Sequence, residues 1–297
     1  MKYSILTGAL LSATLMTPAF ATDIKVEDFV GTITITDGND GVDIVRNGKH
    51  SADYSETGET IMIDGGLSRK QRDKACKGGG LSWDLELNGR ESKGNTRLKD
   101  YPEIRISVPR GSNLTINDSS VRLDSQVVLG VADLDLSGCF DASLGDADEI
   151  ILDKSGSGDI AIGSVGSLTV DKSGAGDLEI EQADRFSLDQ SGSGEVDIDR
   201  IDGPVEIEKS GSGDIEIGTI DGTFRIDKSG SGDVEVDSGT ISDLSVHISG
   251  SGDIDIRAAV GDAYIRASGS SDVYVKSISG SVDSSVSGSS DFNRGDD

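Results

Sequence analysis

Carboxylates recur along this 297-residue sequence at intervals of 18 to 20 residues, each after a tetrapeptide rich in serine and glycine. We call this set the acidic column: Asp159, Asp177, Glu195, Asp214, Asp233, Asp253, Asp272 and Asp291. Carboxylate oxygens on a rigid scaffold suit Ca²⁺. One hypothesis is therefore a calcium ladder at Asp159, Asp177, Asp214, Asp233 and Asp253. The alternative is a solvated acidic surface that keeps the protein soluble and blocks sideways strand pairing.

Carboxylates can also hydrolyse glycosidic bonds, but that chemistry needs one distinct pair in a cleft. Here the carboxylates are interchangeable along the chain, and no GxSxG, HExxH or P-loop string occurs. His247 occupies a repeat position that is otherwise Asp or Glu, so a Ser-His-Asp triad has no support. The sequence thus predicts a protein that is not an enzyme. The alternative is a carbohydrate-active β-helix enzyme of the lyase or hydrolase type.

The elements that carry these carboxylates are predicted by the spacing of apolar residues. Ile215 and Ile217 flank Glu216, and this alternation indicates a strand with one buried face. The apolar positions form two columns across the repeats. One is Ile160, Leu178, Val196, Ile215, Val234, Ile254 and Val273, and the next is Ile162, Ile180, Ile198, Ile217, Val236, Ile256 and Val275.

Two short strands cannot bury a face alone, but stacked repeats can. The predicted fold is therefore all-β, a parallel β-helix (solenoid) with rungs of 18–20 residues. About ten rungs fill residues 99–297, the predicted repeat domain. Between the buried positions, a second outward set of acids is expected at Glu179, Asp197, Glu216, Glu235 and Asp255.

Residues 22–98 are less regular, although strand-like stretches occur at 31–35, 41–45 and 60–63. We expect an N-terminal β-rich cap or degenerate rungs. The segment 69–77 reverses the charge of the chain, with five basic residues. One interpretation is a solvated loop tethered through Cys76. The other is a contact with anionic lipopolysaccharide or with the acidic rod itself.

The first 21 residues have the pattern of a secretory signal peptide. Lys2 precedes a mostly apolar or small stretch at 5–16, and Ala19-Phe20-Ala21 matches a cleavage signal. We expect cleavage after Ala21 and a location outside the cytoplasm, in the periplasm, secreted or at the cell surface. No later segment is apolar enough to span a bilayer, so no transmembrane segment is expected in the mature chain.

The sequence has two cysteines, Cys76 and Cys139. In an oxidising compartment an even count favours one disulfide, and the alternative is two unpaired thiols. The only histidines are His50 and His247, and neither has a partner at ligand spacing, so a Cys/His metal site is not predicted.

The formal net charge of −27 argues against a nucleic-acid partner, because such a surface repels phosphates. Lysines precede several of the tetrapeptides, at Lys154, Lys172, Lys209 and Lys228, with Gln190 in the gap. We expect this lysine column to offset part of the repulsion within the acidic column. Arg294-Gly295-Asp296 spells an integrin tripeptide, which we interpret as chance.

With its leader and SGSGDIxI rungs, the chain resembles secreted bacterial β-strand-repeat proteins of the family named Putative auto-transporter adhesin, head GIN domain. The resemblance covers the repeats from Ser119 to Asp291. It implies a β-helical surface or periplasmic protein without established catalytic residues. The expected function is adhesion or cell-envelope interaction through a repetitive acidic face, with a surface protein or glycan as partner. No cofactor is expected, except Ca²⁺ if the protein is instead a calcium-stabilised structural rod.

Overall fold

The computed structural model describes residues 21–76 and 100–295. The predicted signal peptide lies outside the described residues, apart from Ala21. Three further features also lie outside the described residues: Lys77, the domain boundary expected between residues 98 and 99, and Asp296 of the integrin-like tripeptide.

The described residues form 22 strands and one short helix, α1 (Arg69–Ala75), which lies between β5 and β6. The strands are, in chain order, β1 (Asp23–Glu27), β2 (Val30–Asp37), β3 (Gly41–Arg46), β4 (Asp53–Thr57), β5 (Thr60–Asp64), β6 (Glu103–Val108), β7 (Ser112–Asn117), β8 (Ser120–Ser125), β9 (Leu129–Leu136), β10 (Asp141–Leu144), β11 (Ala147–Lys154), β12 (Ile160–Lys172), β13 (Leu178–Ala183), β14 (Phe186–Gln190), β15 (Val196–Ile201), β16 (Val205–Lys209), β17 (Ile215–Lys228), β18 (Val234–Ile248), β19 (Ile254–Ala267), β20 (Val273–Ile278), β21 (Val282–Val286) and β22 (Phe292–Arg294).

These strands stack in parallel as a β-solenoid of about ten turns with rungs of about 19 residues, which confirms the predicted fold. Each turn places one strand on each of two faces. On the first face, each strand ends at the position of the lysine column. The second half of β12, β14 and β16 are examples. On the second face, each strand begins just after the serine-glycine corner. The first half of β12, β13 and β15 are examples.

The core lies between the two faces and follows the predicted columns. Ile160 pairs in register with Leu178, and Leu178 with Val196, so equivalent residues of successive rungs stack directly. Every member of both apolar columns is at most 3% exposed. Stacking buries the inward face of each strand on both sides, which no rung could do alone.

The N-terminal strands do not follow chain order in space. β1 pairs with β5 on one side and β7 on the other, and β2 lies in the same way between β6 and β8. The β1–β2 rung is therefore inserted between an end rung, β5–β6, and the rung β7–β8. Beyond the end rung, β4 pairs with β5 and β3 with β6, both antiparallel. These antiparallel strands cover the edge that the end rung would otherwise expose.

The basic segment is a helix where it is described, and not the solvated loop that one interpretation expected. The Arg72 side chain is 8% exposed and forms ion pairs with Asp28 and with Asp118, the latter at 3.4 Å. These two aspartates lie at the β1–β2 and β7–β8 corners, in the left-handed region with φ of 50° and 48°. Arg72 thus joins corners of two adjacent rungs. No helix in residues 21–76 or 100–295 is long and apolar enough to cross a membrane.

Candidate functional site

The acidic column lies at the start of the second-face strands, and six of its eight carboxylates accept hydrogen bonds from backbone amides. Asp159 Oδ1 accepts a hydrogen bond from the backbone N–H of Asp177 at 2.9 Å, and Asp177 Oδ1 accepts from that of Glu195 at 2.9 Å. The pattern continues where Asp214 accepts from Asp233 at 2.8 Å. It then runs without a break from Asp233 through Asp253 and Asp272 to Asp291, at 2.7, 2.8 and 3.0 Å.

This ladder gives the acidic column a structural role. Like charges one rung apart repel by about 0.9 kcal/mol in bulk water. A hydrogen bond from an amide to a carboxylate is charge-assisted, and it offsets repulsion of that size. Within the described ranges, no group of three or more His, Cys, Asp or Glu side chains is gathered so as to hold a metal ion. The calcium ladder at Asp159, Asp177, Asp214, Asp233 and Asp253 stays a prediction.

The lysine column lies inside the solenoid, where sequence reasoning did not place it. Lys154, Lys172, Lys209 and Lys228 are at most 2% exposed. Lys154 Nζ donates to the carbonyl of Ala175 at 2.6 Å, and Lys228 Nζ donates to that of Gly252 at 2.9 Å. Both acceptors belong to the serine-glycine corner of the next rung. The ammonium groups therefore bind the corner backbone from within.

Burial lowers the pKa of each lysine in this column because the charged form loses its hydration. The pKa of Lys154 falls to about 8 through burial and the neighbouring charge of Lys172. The pKa of Lys228 also falls to about 8, through burial and Lys209. Carboxylates of the acidic column act in the opposite direction, since Asp159 and Asp177 raise the pKa of Lys154. The lysine column was expected to offset part of the repulsion within the acidic column. This attraction between the lysines and the acidic column is consistent with that expectation.

The glycines of the corner are required by the close approach of successive rungs. A Cβ added to Gly174 would lie 1.9 Å from the carbonyl oxygen of Gly156, and one added to Gly192 would lie 2.0 Å from that of Gly174. No side chain fits at such a distance. The serines on either side of these glycines point outward and are exposed, for example Ser191 and Ser193. The corner is thus a polar ridge on a tightly stacked backbone.

A further row of carboxylates runs along the first face, and in the sequence it was recognised only as the repeat position of His247 that is otherwise Asp or Glu. We call it the first-face row: Asp135, Asp153, Asp171, Asp189, Glu208 and Asp227, which are paired in register from rung to rung. The signal was present, because most of these acids stand directly before a lysine and a serine. Burial and then the charges of Asp153 and Asp189 raise the pKa of Asp171.

The second outward set, Glu179, Asp197, Glu216, Glu235 and Asp255, is also paired in register along the second face. Its members are exposed or half-buried. Arg257 contacts this set, since its guanidinium lies 2.7 Å from the Asp255 carboxylate. Carboxylates thus cover both faces of the solenoid.

The structure brings Cys76 and Cys139 together in a disulfide with a Cα–Cα distance of 5.5 Å. The bond fixes the end of α1 to the corner between β9 and β10. Near that corner, Asp141 is 8% exposed, and burial raises its pKa to about 6 although Arg122 acts against the rise. At the other end, Arg294 lies half-buried in β22.

One groove follows the first-face row, and its acids Asp189, Glu208 and Asp227 are successive members of that row. A glycosidase needs two carboxylates with different roles and environments. Equivalent members of one repeating row do not meet this requirement.

The family model described as Putative auto-transporter adhesin, head GIN domain, matches residues 77–218 and again residues 187–294. The chain belongs to this family. The overlapping matches cover most of the solenoid, so the repeat itself is the family's domain. No curated protein matches the sequence.

Two solved structures show weak similarity. One is a putative adhesin from Bacteroides fragilis NCTC 9343, at 11% identity and a TM-score of 0.24, with 93% of each chain covered. The other is a putative cell adhesion protein from Clostridium sporogenes ATCC 15579, at 14% identity and a TM-score of 0.18, with 93% of this chain and 92% of that chain covered.

Proposed function

We propose that this protein is a non-enzymatic adhesive module that works outside the cytoplasm and contacts the cell envelope or another surface through one repetitive acidic face. Membership of an adhesin-named family supports the adhesive role. The observation that carries the proposal is the first-face row, in which a carboxylate recurs on every rung from Asp135 to Asp227.

A row of identical groups suits attachment to an extended partner. Each exposed ion pair contributes at most about 1 kcal/mol, but contacts made by one rigid body add through effective concentration. The partner should present cationic groups, or anionic groups bridged by divalent cations, because the formal net charge is −27. This charge disfavours nucleic acid.

The location is part of the proposal. The predicted signal peptide, cleaved after Ala21, would direct the chain out of the cytoplasm, and a disulfide between Cys76 and Cys139 suits an oxidising compartment. Cell fractionation of the producing bacterium tests this directly. Recovery of the protein only from the periplasm would overturn adhesion to external surfaces.

The binding test uses purified, fluorescently labelled protein and intact bacterial cells. Asp171→Asn should reduce attachment by no more than a few-fold, because one rung supplies one weak contact. Replacing Asp153, Asp171 and Asp189 together by Asn should reduce it far more, and added salt should weaken the wild-type interaction. The matched control is a triple Asn/Gln replacement of Glu179, Asp197 and Glu216 on the other face. Loss of attachment from the single change alone would contradict a distributed surface.

A further inference from the structure

The groove beside the first-face row changes character where the repeat becomes irregular. The acids of the row end at Asp227, and the next positions in register are His247 and Arg266. The inward neighbour changes at the same level, from Lys228 to the aliphatic Ile248. The rungs are interchangeable before this level and differ in both charge and polarity after it. A binding site specific to one ligand can form where neighbouring rungs differ. The regular rungs, in contrast, repeat the same side chains.

The groove at this level has a volume of about 590 Å³, which lies within the range of small-ligand sites. One wall consists of the outward side chains Asp227, His247 and Arg266. The opposite wall is a row of serines at one-rung spacing, and the residues between the two walls, Ile248 and Ala267, are each only 3% exposed. The serines are Ser229, Ser249, Ser268 and Ser287.

The polar side chains of the first wall are held in place by neighbours within the chain. The guanidinium of Arg266 lies 3.9 Å from the centre of the Tyr264 ring and donates to the Asp283 carboxylate at 3.1 and 3.2 Å. The His247 ring lies 5.4 Å from the Tyr264 ring, and its Nδ1 is 3.5 Å from Asp227 Oδ1. A ligand would meet side chains that are already ordered, so binding would cost little side-chain entropy.

We propose that this groove binds a neutral oligosaccharide that lies along the solenoid axis. The carboxylates here need a ligand that donates hydrogen bonds, and the serine and imidazole groups can both donate and accept them. A sugar hydroxyl meets these requirements because it also donates and accepts. Serines recur at the rung spacing of about 4.8 Å, so an extended chain of sugar units meets an equivalent hydroxyl at each rung.

Charge determines the class of sugar. Asp189, Glu208 and Asp227 would repel a uronic acid or a sialylated glycan. Arg266 and His247 replace carboxylates where the site departs from the repeat, which disfavours a polyamine or an amino sugar. The inference rests on the proposed adhesive function for its biological use, although the site itself would exist without it.

The test measures binding of the purified full chain to four probes by isothermal titration and by saturation-transfer NMR. The probes are a neutral cello-oligosaccharide and manno-oligosaccharide pair, an oligogalacturonate, and a chitosan oligosaccharide. We expect a neutral probe to bind and the acidic and amine-bearing probes to bind more weakly. His247→Asp, which restores the acid of the other rungs, and Arg266→Gln should each weaken neutral binding roughly tenfold, as loss of one hydrogen bond at a charged group would.

Arg257→Gln is the matched control, because Arg257 is also an exposed arginine paired with carboxylates but lies on the second face. It should leave sugar binding unchanged. Absence of binding by both neutral probes, preference for the acidic or the amine-bearing probe, or equal effects of the groove and control variants would each overturn the inference. Because this assay contains no cells, its failure would leave the attachment test of the first-face row standing. A triple Asn replacement of Asp135, Asp153 and Asp171 changes the first-face row outside the groove. Loss of attachment in that variant with normal sugar binding would show that the two surfaces act separately.

Discussion

Lys172 Nζ lies 2.6 Å from the carbonyl oxygen of Ser193, which belongs to the serine-glycine corner one rung further along the solenoid. The lysine is fully buried, and its second contact is the carbonyl of Gly194 at 3.3 Å. A charged side chain in this core therefore replaces apolar packing at the corner and binds the backbone of the next rung. Buried ammonium groups are tolerated when such acceptors surround them.

Lys172→Met should destabilise the protein by about 1–3 kcal/mol, because the carbonyl of Ser193 would lose its Nζ donor, whereas that of Gly194 would keep the amide of Gln190. Lys172→Gln should cost less. Gln190 occupies the equivalent position one rung on, and its Nε2 reaches the carbonyl of Gly194 at 3.0 Å. Urea denaturation of the three proteins checks the order, and an equal loss in both variants would contradict the hydrogen-bonding role.

Stability should rise with pH above about 8. Lys154 and Lys228 have pKa values near 8 in the folded chain and near 10.5 when unfolded. Between these values the unfolded state binds more protons, so the free energy of unfolding increases with pH. From pH 7.5 to 9.5 we expect a gain on the order of 2 kcal/mol for each of the two lysines, measured by urea denaturation.

The control for this pH dependence is the double variant Lys154→Met/Lys228→Met, which should flatten the increase. Lys276→Met removes an exposed lysine and should leave it intact. A wild-type protein whose stability is flat or falling over this range would show that the buried lysines do not titrate there.

Chelation should not change the melting temperature. Six of the eight carboxylates of the acidic column are bound to backbone amides, as Asp233 is to the N–H of Asp253 at 2.7 Å. Equal thermal melts with EDTA and with added Ca²⁺ are therefore expected. A lower melting temperature in EDTA would instead support the calcium ladder. Asp233→Ala should destabilise by about 1–2 kcal/mol through the lost acceptor, and Asp233→Asn, which keeps a carbonyl oxygen, should cost less.

Gly192→Ala should destabilise the solenoid by more than about 2 kcal/mol. The new Cβ would lie 2.0 Å from the Gly174 carbonyl oxygen, and backbone there cannot move without displacing a neighbouring rung. Ser193→Ala, one residue along on an outward position, should be close to neutral. Calorimetric melting of both variants gives the comparison, and similar melting temperatures would contradict the proposed crowding.

Reduction should destabilise the N-terminal rungs. Cys76 and Cys139 are 63 residues apart, and a closed loop of that length stabilises by about 4 kcal/mol in the chain-entropy account. Dithiothreitol should lower the melting temperature of the wild-type protein. The double variant Cys76→Ser/Cys139→Ser should melt lower and not respond to dithiothreitol. An unchanged wild-type melting temperature would show that the bond contributes nothing to folding.

The buried lysines show why part of the candidate site was missed in the sequence. Leu168, Val170 and Lys172 alternate with outward residues, so the period of two already placed Lys172 on the buried side. Lysine is rarely buried in proteins, so the residue type of Lys172 suggested solvent exposure instead. The deciding factor was a set of carbonyl acceptors in the next rung, contributed by residues about 20 positions away.

The sequence by itself determined the solenoid, its rung length and its core, because apolar residues at period two and at intervals of 18 to 20 residues can be buried together only by stacking. Tertiary structure alone decided the order of the N-terminal rungs, where β1 lies between β5 and β7. It also decided which polar groups meet, such as Arg72 with Asp28 and Asp118. These pairings form between segments that are far apart in the sequence and meet at one corner of the solenoid. No local sequence pattern indicates where such segments meet.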